Sequence, residues 1–224
     1  MLKKNRATPW KSGKVISICL RNGVYILAQM VREPYLVFFN HFNEENNWKG
    51  VTLKEEDILF CKAVTRQFLR YSPVAIVKEV TPLLDYELPK EWIYSHIGGH
   101  NITISVKGRE RQVVGFGQRC SLVLADKDSG QPEDNPLMGL FQAYIIPDIK
   151  EKDWDRVGQA ELMSIEVFPT LNERLYLCFL YGKNINPEQD ISLGKPLLDD
   201  YETYIDILTN SPEARRLYLG EHEE

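Results

Sequence analysis

The sequence predicts an α+β fold that is dominated by antiparallel β-strands and has only a few short helices. Apolar runs rich in Val, Ile, Tyr and Phe fill residues 13–42, and these residue types suit a pleated, half-buried surface. The pair Asn22-Gly23 interrupts these runs, and Asn-Gly is the strongest short-range signal of a β-hairpin. Short apolar segments bounded by turn residues then recur along the chain. Together these observations favour strands over long helices.

An N-terminal meander is the first predicted element. Its three strands are expected at residues 15–20, 24–31 and 35–42. Asn22-Gly23 forms the first turn and Arg32-Glu33-Pro34 the second, so each strand runs antiparallel to the one before it. Such a meander forms either a sheet or a small barrel-like structure.

Several short elements are predicted between the meander and residue 125. Residues 52–57 suggest a turn of helix, with Thr52 as the N-cap and Glu55 completing a capping box. Four strands are expected at Ile58–Val64, 73–80, 101–106 and 111–124. Gly115 and Gly117 indicate a bulge or a sharp bend within the last of these strands.

Residues 126–136 form the clearest linker, because they are dense in Asp, Gly and Pro and lack apolar periodicity. A boundary at this linker separates a β-rich N-terminal domain, residues 13–125, from a C-terminal α+β part, residues 137–224. The C-terminal part is either a domain of its own or packs with the first as one unit.

The C-terminal part is predicted to contain three strands and a polar, helical connection. The connection covers residues 149–159 around Trp154. The strands are expected at residues 137–146, 161–168 and 174–181. The last of them, RLYLCFLY, is almost continuously apolar, so we expect it to be a buried strand.

A helix is predicted at residues 199–208, because four apolar residues recur at the i, i+3, i+4 and i+7 spacing of one helix face. These residues are Tyr201, Tyr204, Ile205 and Leu208. Asp199 and Asp200 stand at the N-terminus, where the helix dipole favours negative charge. Glu202 and Asp206 are four residues apart and are expected on the outer face of the helix.

The composition is that of a soluble globular protein, with 224 residues of which 43% are hydrophobic and 26% are charged. No apolar run approaches the roughly 20 residues that a membrane-spanning helix needs. The basic residues 1–14 are not followed by the apolar segment of a secretory signal. We therefore expect a cytoplasmic protein that does not act at a membrane.

The sequence predicts no metal site. The four cysteines lack the spacing of a zinc site or of a disulfide framework, so free, buried thiols are expected. They are Cys19, Cys61, Cys120 and Cys178. His96 and His100 are four residues apart, but Gly98 and Gly99 disfavour the helix that would bring both imidazoles to one metal ion.

No catalytic constellation stands out either. The phosphate-binding loop, the nucleophile elbow and the dinucleotide fingerprint are all absent from the sequence. Carboxylates cluster at residues 44–45 and 55–57, but these segments are polar loops in which carboxylates are normally hydrated. We therefore predict no catalytic residue and no cofactor, and expect that the protein is not an enzyme. The alternative is an enzyme of unrecognised type that uses His96 or His100.

Charge is distributed unevenly along the chain. The net charge is −5. Residues 183–224 hold four basic and ten acidic residues, a sum of −6, so the rest of the chain sums to +1. An acidic C-terminal end argues against nucleic-acid binding, which needs a basic face. It is compatible with a basic protein partner, and the simpler alternative is a solvated, solubilising face.

The opening strands share a pattern with a known family: a glycine starts the first strand, a polar turn with glycine and an aromatic residue follows, and the third strand is apolar and aromatic. The matching segments are Gly13-Lys14-Val15-Ile16, Asn22-Gly23-Val24-Tyr25-Ile26-Leu27-Ala28 and Tyr35-Leu36-Val37-Phe38-Phe39. This pattern resembles the Imm26 family of bacterial immunity proteins, mostly β proteins encoded beside polymorphic or contact-dependent toxins. The resemblance covers about the first fifth of the chain, and Lys14 stands where the family often has Asp.

The resemblance implies that the protein neutralises a cognate bacterial toxin domain by direct binding, as in contact-dependent growth inhibition. Many such toxins are basic nucleases, toward which an acidic surface would steer the inhibitor. The acidic residues expected to contribute to binding are Asp199, Asp200, Glu202 and Asp206. Besides the enzyme named above, a scaffold or adaptor protein is the remaining alternative.

Overall fold

The computed structural model describes residues 8–96, 101–116, 119–125, 141–211, 214, 217 and 218. Within that part of the chain it contains twelve β-strands and five short α-helices, so the predicted α+β class is confirmed. All neighbouring strands pair antiparallel apart from two short parallel pairs. None of the described helices combines the length and the apolar character that crossing a membrane requires.

The chain divides into two compact units, and each unit is built from segments that are distant in sequence. Unit 1 comprises residues 1–87, 164–186 and 199–224, and unit 2 comprises residues 88–163 and 187–198. The predicted linker, residues 126–136, lies outside the described residues. Each unit takes segments from both sides of that linker.

A six-stranded sheet forms the centre of unit 1. Its strands are β1 (Val15–Cys19), β2 (Tyr25–Met30), β3 (Tyr35–Asn43), β4 (Ile58–Val64), β5 (Val74–Val77) and β12 (Ile165–Glu166). Their order is β12-β4-β3-β2-β1-β5, and only β12 and β4 pair in parallel. Among the described residues the sheet is open, with β12 and β5 as its edge strands.

The predicted meander is present as β1, β2 and β3. Asn22 and Gly23 in the first turn have positive φ angles of 61° and 74°, which Asn and Gly adopt more readily than other residues. The register places Ile18 opposite Ile26, and both side chains are fully buried. In the described part of the chain the meander therefore occupies the middle of an open sheet and does not form a small barrel.

Unit 2 contains a four-stranded sheet and a separate hairpin. The strands of the sheet are β6 (Glu91–His96), β9 (Arg119–Leu124), β10 (Ala143–Ile146) and β11 (Glu161–Leu162), in the order β10-β9-β6-β11. The hairpin pairs β7 (Asn101–Val106) with β8 (Arg109–Val114). A buried apolar cluster in this unit includes Ile93, Cys120, Leu122, Ile149, Val157 and Leu162. The first part of the predicted strand 137–146, residues 137–140, lies outside the described residues.

Residues 111–124 form two strands where one bent strand was predicted. β8 ends at Val114, Gly115 follows with a φ angle of 88°, and β9 begins at Arg119 in the other sheet of unit 2. The expected bend at Gly115 is therefore a complete break between two strands. Gly117 lies outside the described residues.

The segment 161–168 is likewise divided between two sheets. Glu161–Leu162 pairs in parallel with β6 in unit 2, and Ile165–Glu166 pairs in parallel with β4 in unit 1. An apolar run in the sequence indicates that a segment is half-buried, but it does not indicate which sheet the segment joins.

The prediction of a buried strand at residues 174–181 is wrong, because this segment belongs to helix α3, Thr170–Tyr181. Leu171, Leu175 and Cys178 are spaced as one helix face and are completely buried. The predicted segment began after Leu171 and so missed this spacing. Most of the helix is buried on all sides, and an apolar run of this kind cannot be told from a strand by periodicity alone.

The other helices are α1 (Arg66–Tyr71), α2 (Trp154–Val157), α4 (Pro187–Ser192) and α5 (Glu202–Leu208). α2 lies in the predicted connection around Trp154, and α5 lies in the predicted helix 199–208, so both predictions are confirmed. α1 and α4 were not predicted, although each carries a start signal. The Thr65 hydroxyl caps α1 by accepting the Phe68 N–H at 3.2 Å, and Pro187 occupies the first residue of α4.

The predicted capping box of Thr52 and Glu55 is wrong. The helical turn is a 3-10 turn, Glu55–Asp57, which follows Lys54 without a side-chain cap. Thr52 instead forms an isolated parallel bridge with Thr81. Pairing with another segment holds Thr52 in an extended conformation, away from the turn that it would have to cap.

Candidate functional site

Helices α3 and α5 of unit 1 pack against each other, and the predicted partner-binding residues lie on and before α5. A 3-10 turn, Asp199–Tyr201, leads directly into α5. Tyr201, Tyr204 and Ile205 are buried, with exposed fractions of 1% to 2%. These three side chains fix the turn and the helix to unit 1, while Asp199 and Asp200 remain exposed.

Tyr181, the last residue of α3, is joined to this turn. Its hydroxyl donates a hydrogen bond of 2.7 Å to Asp200 Oδ2. The Tyr181 side chain is 37% exposed and the neighbouring Leu180 is 47% exposed. We call Leu180, Tyr181, Asp199 and Asp200 the Tyr181 surface. It combines two apolar side chains with two carboxylates in one exposed part of unit 1.

Asp200 and Asp199 affect the ionisation of Tyr181. The hydrogen bond to Asp200, then burial, and then the negative charges of Asp200 and Asp199 raise the pKa of Tyr181 above its ordinary value of 10.0. The shift favours the neutral hydroxyl that donates to Asp200. This bond orients the aromatic ring, and the residue remains 37% exposed.

The four predicted binding residues do not share one environment. Asp199 and Asp200 are exposed, and Glu202 is half-buried. Asp206 is 8% exposed, so its predicted position on the outer face of the helix is wrong. After α5 the Ser211 N–H donates to the backbone carbonyl oxygen of Asp206 at 2.8 Å, which closes the end of the helix.

Polar contacts hold the N-terminal half of α3 in place. The Glu173 carboxylate is fully buried and receives two hydrogen bonds from Arg21, of 3.0 Å and 3.1 Å. The Tyr218 hydroxyl also donates to Glu173. Arg21 lies 3.7 Å above the Tyr176 ring. Since a buried carboxylate needs such partners, these bonds tie the β1–β2 turn to a defined position along α3.

A second buried charge cluster is formed by Lys62, Glu166 and Arg174. Lys62 Nζ and Arg174 Nη1 are each 3.6 Å from Glu166 Oε1, and Lys62 also donates to Ser164 at 2.9 Å. The Arg174 guanidinium lies 3.7 Å from the centre of the Phe60 ring. All three charged residues are at most 4% exposed. This cluster connects β4, β12 and α3 within unit 1.

His96 is the described member of the histidine pair, and it makes a hydrogen-bonded chain in unit 2. His96 Nε2 lies 2.7 Å from Ser121 Oγ, and Ser121 donates to Pro147 O at 2.6 Å. Because a carbonyl oxygen can only accept, the Ser121 proton is committed to Pro147 and His96 Nε2 must donate to Ser121. His100 lies outside the described residues.

This arrangement is opposite to the one that nucleophilic catalysis needs. A catalytic base must accept the serine proton, whereas His96 donates to Ser121, which is completely buried. Burial, and then the positive charge of Arg119, lower the pKa of His96 below its ordinary value. His96 is therefore a neutral hydrogen-bond donor, and the Ser121–His96 pair does not favour the enzyme alternative.

The four cysteines all lie among the described residues and form no disulfide bond, and three of them are buried: Cys61, Cys120 and Cys178. Cys19 is half-buried. Burial raises the pKa of the Cys120 thiol from its ordinary value of 9.0 to about 11, which keeps it protonated and unreactive. Among the described residues, no group of three or more His, Cys, Asp or Glu side chains is arranged to hold a metal ion.

Leu180 and Tyr181 were not predicted as site residues, because the apolar run 174–181 indicated a buried strand. The signal that could have found them is Gly182, which follows α3 with a φ angle of 63°. Glycine in the left-handed conformation commonly ends a helix, and side chains in the last turn of a helix are often exposed. The apolar residues before Gly182 could then have been assigned to the end of a helix.

Comparison with known proteins identifies a family whose function is unknown. No curated protein and no solved structure matches the chain. The family model described as a domain of unknown function, DUF8309, matches residues 4–117. The match covers about half of the chain and includes the whole meander, whereas the Tyr181 surface lies beyond it. The chain therefore belongs to the DUF8309 family.

Proposed function

We propose that this protein is an immunity protein that binds and neutralises one cognate bacterial toxin domain, and that the Tyr181 surface contributes to the interface. The observation that carries the proposal is the exposed Tyr181 ring, held by Asp200 next to a second exposed carboxylate, Asp199. Tyrosine is enriched among the residues that dominate binding energy in protein interfaces. A ring that is already fixed loses little conformational entropy on binding.

Electrostatics favour a basic partner for this surface. Residues 183–224 carry a net charge of −6, and Asp199 and Asp200 are among their exposed carboxylates. Complementary charge accelerates the encounter of two proteins and disfavours wrong partners. A basic nuclease domain is the toxin that fits these charges best, and no nucleic acid or membrane is required as a partner.

The resemblance of the opening strands to the Imm26 family supports the same proposal. An immunity protein acts where the toxin arrives, which is the cytoplasm of the bacterium for a nuclease. Binding alone is sufficient for neutralisation, so the proposal requires neither a catalytic residue nor a cofactor. The gene beside this one should therefore encode a large secreted protein with a variable C-terminal toxin domain.

The first experiment is a charge reversal at the Tyr181 surface. The double variant Asp199→Lys with Asp200→Lys should associate with the neighbouring toxin domain about tenfold more slowly at low ionic strength, because rim charges act mainly on the association rate. The salt dependence of the rate should also become flatter. Stopped-flow mixing measures the rate, and thermal unfolding checks that the fold is retained.

The matched control for this experiment is Glu44→Lys with Glu45→Lys. These carboxylates are also adjacent, exposed and part of unit 1, so the change in net charge is identical. The control should associate at nearly the wild-type rate. Equal slowing in both variants would show that net charge, and not this surface, controls the association rate. If expression of the wild-type protein does not protect toxin-sensitive cells, the immunity function itself is wrong.

The second experiment removes the ring. Tyr181→Ala should weaken toxin binding by about 2 kcal/mol, the typical effect of losing a central aromatic side chain, and it should act mainly on the dissociation rate. Tyr144→Ala is the control, since Tyr144 is a similarly exposed tyrosine, at 48%, in unit 2. Isothermal titration calorimetry measures both affinities. Wild-type affinity for Tyr181→Ala would place the interface elsewhere.

A further inference from the structure

Strand β5 lies at the edge of its sheet in the described part of the chain. β5 is the last strand of the unit 1 sheet and pairs only with β1 among the described residues. Edge strands of this kind can accept an extended segment of another chain as an additional strand. Which residues of β5 face outward follows from the hydrogen bonds of β1.

The hydrogen bonds on both sides of β1 alternate along the strand. On the β2 side, the Leu20 N–H donates to Val24 O at 2.7 Å, and on the β5 side the Cys19 N–H donates to Pro73 O at 2.9 Å. The backbone N–H and C=O groups of even-numbered β1 residues therefore point toward β2, and those of odd-numbered residues point toward β5. Since Ser17 lies opposite Ala75, the backbone groups of Ala75 and Val77 point toward β1. The N–H and C=O groups of Val74 and Ile76 consequently point away from the sheet.

An exposed apolar side chain and a basic cleft accompany these outward groups. Ile76 is 49% exposed, although Ile16, the residue paired with it on the adjacent strand β1, is completely buried. A cleft of about 440 Å³ begins at Ile76 and Val77. Three lysines line it, namely Lys11, Lys14 and Lys78. Lys14 Nζ also donates a hydrogen bond to Pro9 O.

We propose that β5 binds an extended acidic segment of a partner protein by strand addition. The outward groups of Val74 and Ile76 would hydrogen-bond to its backbone, and Ile76 would contact one of its apolar side chains. Its acidic side chains would enter the cleft between the three lysines, where opposite charge is favoured. This inference goes beyond the proposed toxin binding, which involves a different surface and a partner of opposite charge.

The structure also limits the length of the added strand. Lys78 N–H donates to Glu79 Oε2 at 3.1 Å, so the carboxylate already satisfies the next amide after Val77. An incoming segment can therefore pair over Val74–Ile76 and must turn toward the lysines beyond Val77. Affinity is expected to be modest, because few backbone hydrogen bonds form.

The test uses the full-length protein and a fluorescein-labelled heptapeptide that alternates glutamate with valine, measured by fluorescence anisotropy. The peptide should bind, and a version with N-methylated valine amides should bind about tenfold more weakly, because strand pairing loses its donors. A peptide with lysine in place of glutamate should not bind. Equal binding of the N-methylated peptide would overturn strand addition. If the glutamate peptide does not bind at millimolar concentration, the proposal is wrong, and the lysines instead keep other strands away from the edge.

Variants of the protein locate the site. Ile76→Pro removes an outward N–H that the sheet does not use, so it should preserve folding and reduce peptide affinity by about tenfold. Ile76→Ala controls for the lost side chain and should have a smaller effect. Circular dichroism checks that both variants are folded. If Ile76→Pro binds the peptide as the wild type does, β5 is not the site.

Charge variants separate this site from non-specific attraction and from the Tyr181 surface. Lys11→Glu with Lys78→Glu should abolish peptide binding, whereas the matched exposed pair Lys49→Glu with Lys54→Glu should not. Asp199→Lys with Asp200→Lys should leave peptide binding unchanged, so failure of toxin binding and failure of this inference give different results. A DNA duplex or anionic phospholipid vesicles, added at the same concentration of negative charge, should not displace the peptide. Displacement would show that the lysines bind any polyanion and not specifically an acidic strand.

Discussion

Several groups surround the buried charge of Arg174. Arg174 is 1% exposed, and its Nε and Nη2 atoms donate to Ile185 O at 3.0 Å and to Asn184 Oδ1 at 2.9 Å. Its ring contact with Phe60 covers one face of the guanidinium. A buried ion pair adds little net stability, because desolvation offsets the attraction. The effect of this cluster is to orient α3, whose end carries Tyr181.

Cys120 provides a pH-dependent prediction at the scale of one residue. Burial raises its pKa from 9.0 to about 11 in the folded protein. Between these two pH values the unfolded chain loses the thiol proton and the folded chain keeps it, so stability falls as the pH rises. The loss is about 2 to 3 kcal/mol over the whole window. Urea unfolding at a series of pH values from about 8.5 upward measures it.

Cys120→Ala is the control for the alkaline loss of stability. The variant is less stable at every pH because it leaves a cavity, but it should lack the part of the pH slope that the thiol causes. Tyrosines with a raised pKa, such as Tyr86 and Tyr218, remain in both proteins, so the difference between the two curves isolates the thiol. Parallel curves for wild type and variant would contradict the prediction.

Individual elements were predictable from the sequence where the signal is local. The turn at Asn22-Gly23 needs positive φ angles that these two residues adopt by themselves, so the meander could be identified. Tyr201, Tyr204 and Ile205 are spaced as one helix face within a few residues, and their burial was correctly expected. Both predictions depend on properties of the chain that do not need a distant partner.

Other elements depend on distant segments and were not predictable. Helix α3 is buried on nearly all sides, so its apolar run carries no clear helical period. Asp206 is buried at 8% exposure, although the helical spacing put it opposite the apolar face. The division of residues 161–168 between two sheets depends on pairing with β4 and β6, which lie far earlier in the sequence. Gly182 marks the end of a helix and with it the exposed Tyr181, but the apolar run before Gly182 indicated a buried strand instead.

Gly182 provides a prediction at the scale of the helix. It ends α3 with a φ angle of 63°, and an added Cβ would meet no atom within 4 Å. Gly182→Ala should therefore destabilise the protein by about 1 to 2 kcal/mol through backbone strain alone. Urea unfolding measures the change. It should also weaken toxin binding, because the strain acts next to Tyr181.

Gly158 is the matched control for Gly182, since it follows helix α2 in an ordinary helical conformation with a φ angle of −59°. An added Cβ would lie 3.5 Å from Trp154 O, an ordinary contact distance. Gly158→Ala should be neutral or slightly stabilising, because alanine restricts the unfolded chain without strain. Equal destabilisation by both substitutions would show that φ is not the cause.

At the scale of the whole molecule, unit 1 is closed by contacts between segments that are far apart in sequence. Arg21 reaches Glu173, Lys62 reaches Ser164, and the Ser72 hydroxyl donates to Asn172 Oδ1 at 2.7 Å. The same unit carries an acidic surface at Asp199 and Asp200 and a lysine-lined cleft beside β5. Two surfaces of opposite charge on one unit are suited to two different partners.

This closure predicts the behaviour of a fragment that ends before the predicted linker. Residues 1–125 contain the meander and the predicted N-terminal domain 13–125, but they lack β12, α3 and α5. Lys62, which is completely buried in the whole chain, would lose Ser164 and Glu166. Uncompensated buried charge and exposed apolar surface each cost several kcal/mol, a large part of the stability of a typical domain. The fragment should therefore show no cooperative urea transition and little dispersion of its amide NMR signals.

Supplying the missing segments should reverse this loss. Co-expression of residues 1–125 with a second chain of residues 126–224 should give a soluble complex that unfolds cooperatively, because the contacts that close unit 1 do not require a continuous backbone. Glu166→Ala in the second chain should weaken that complex, since it leaves Lys62 without its carboxylate, whereas Glu151→Ala, an exposed residue, should not. A cooperative transition for residues 1–125 alone would show that the β-rich segment is a domain in its own right, and that the later segments are additions to it.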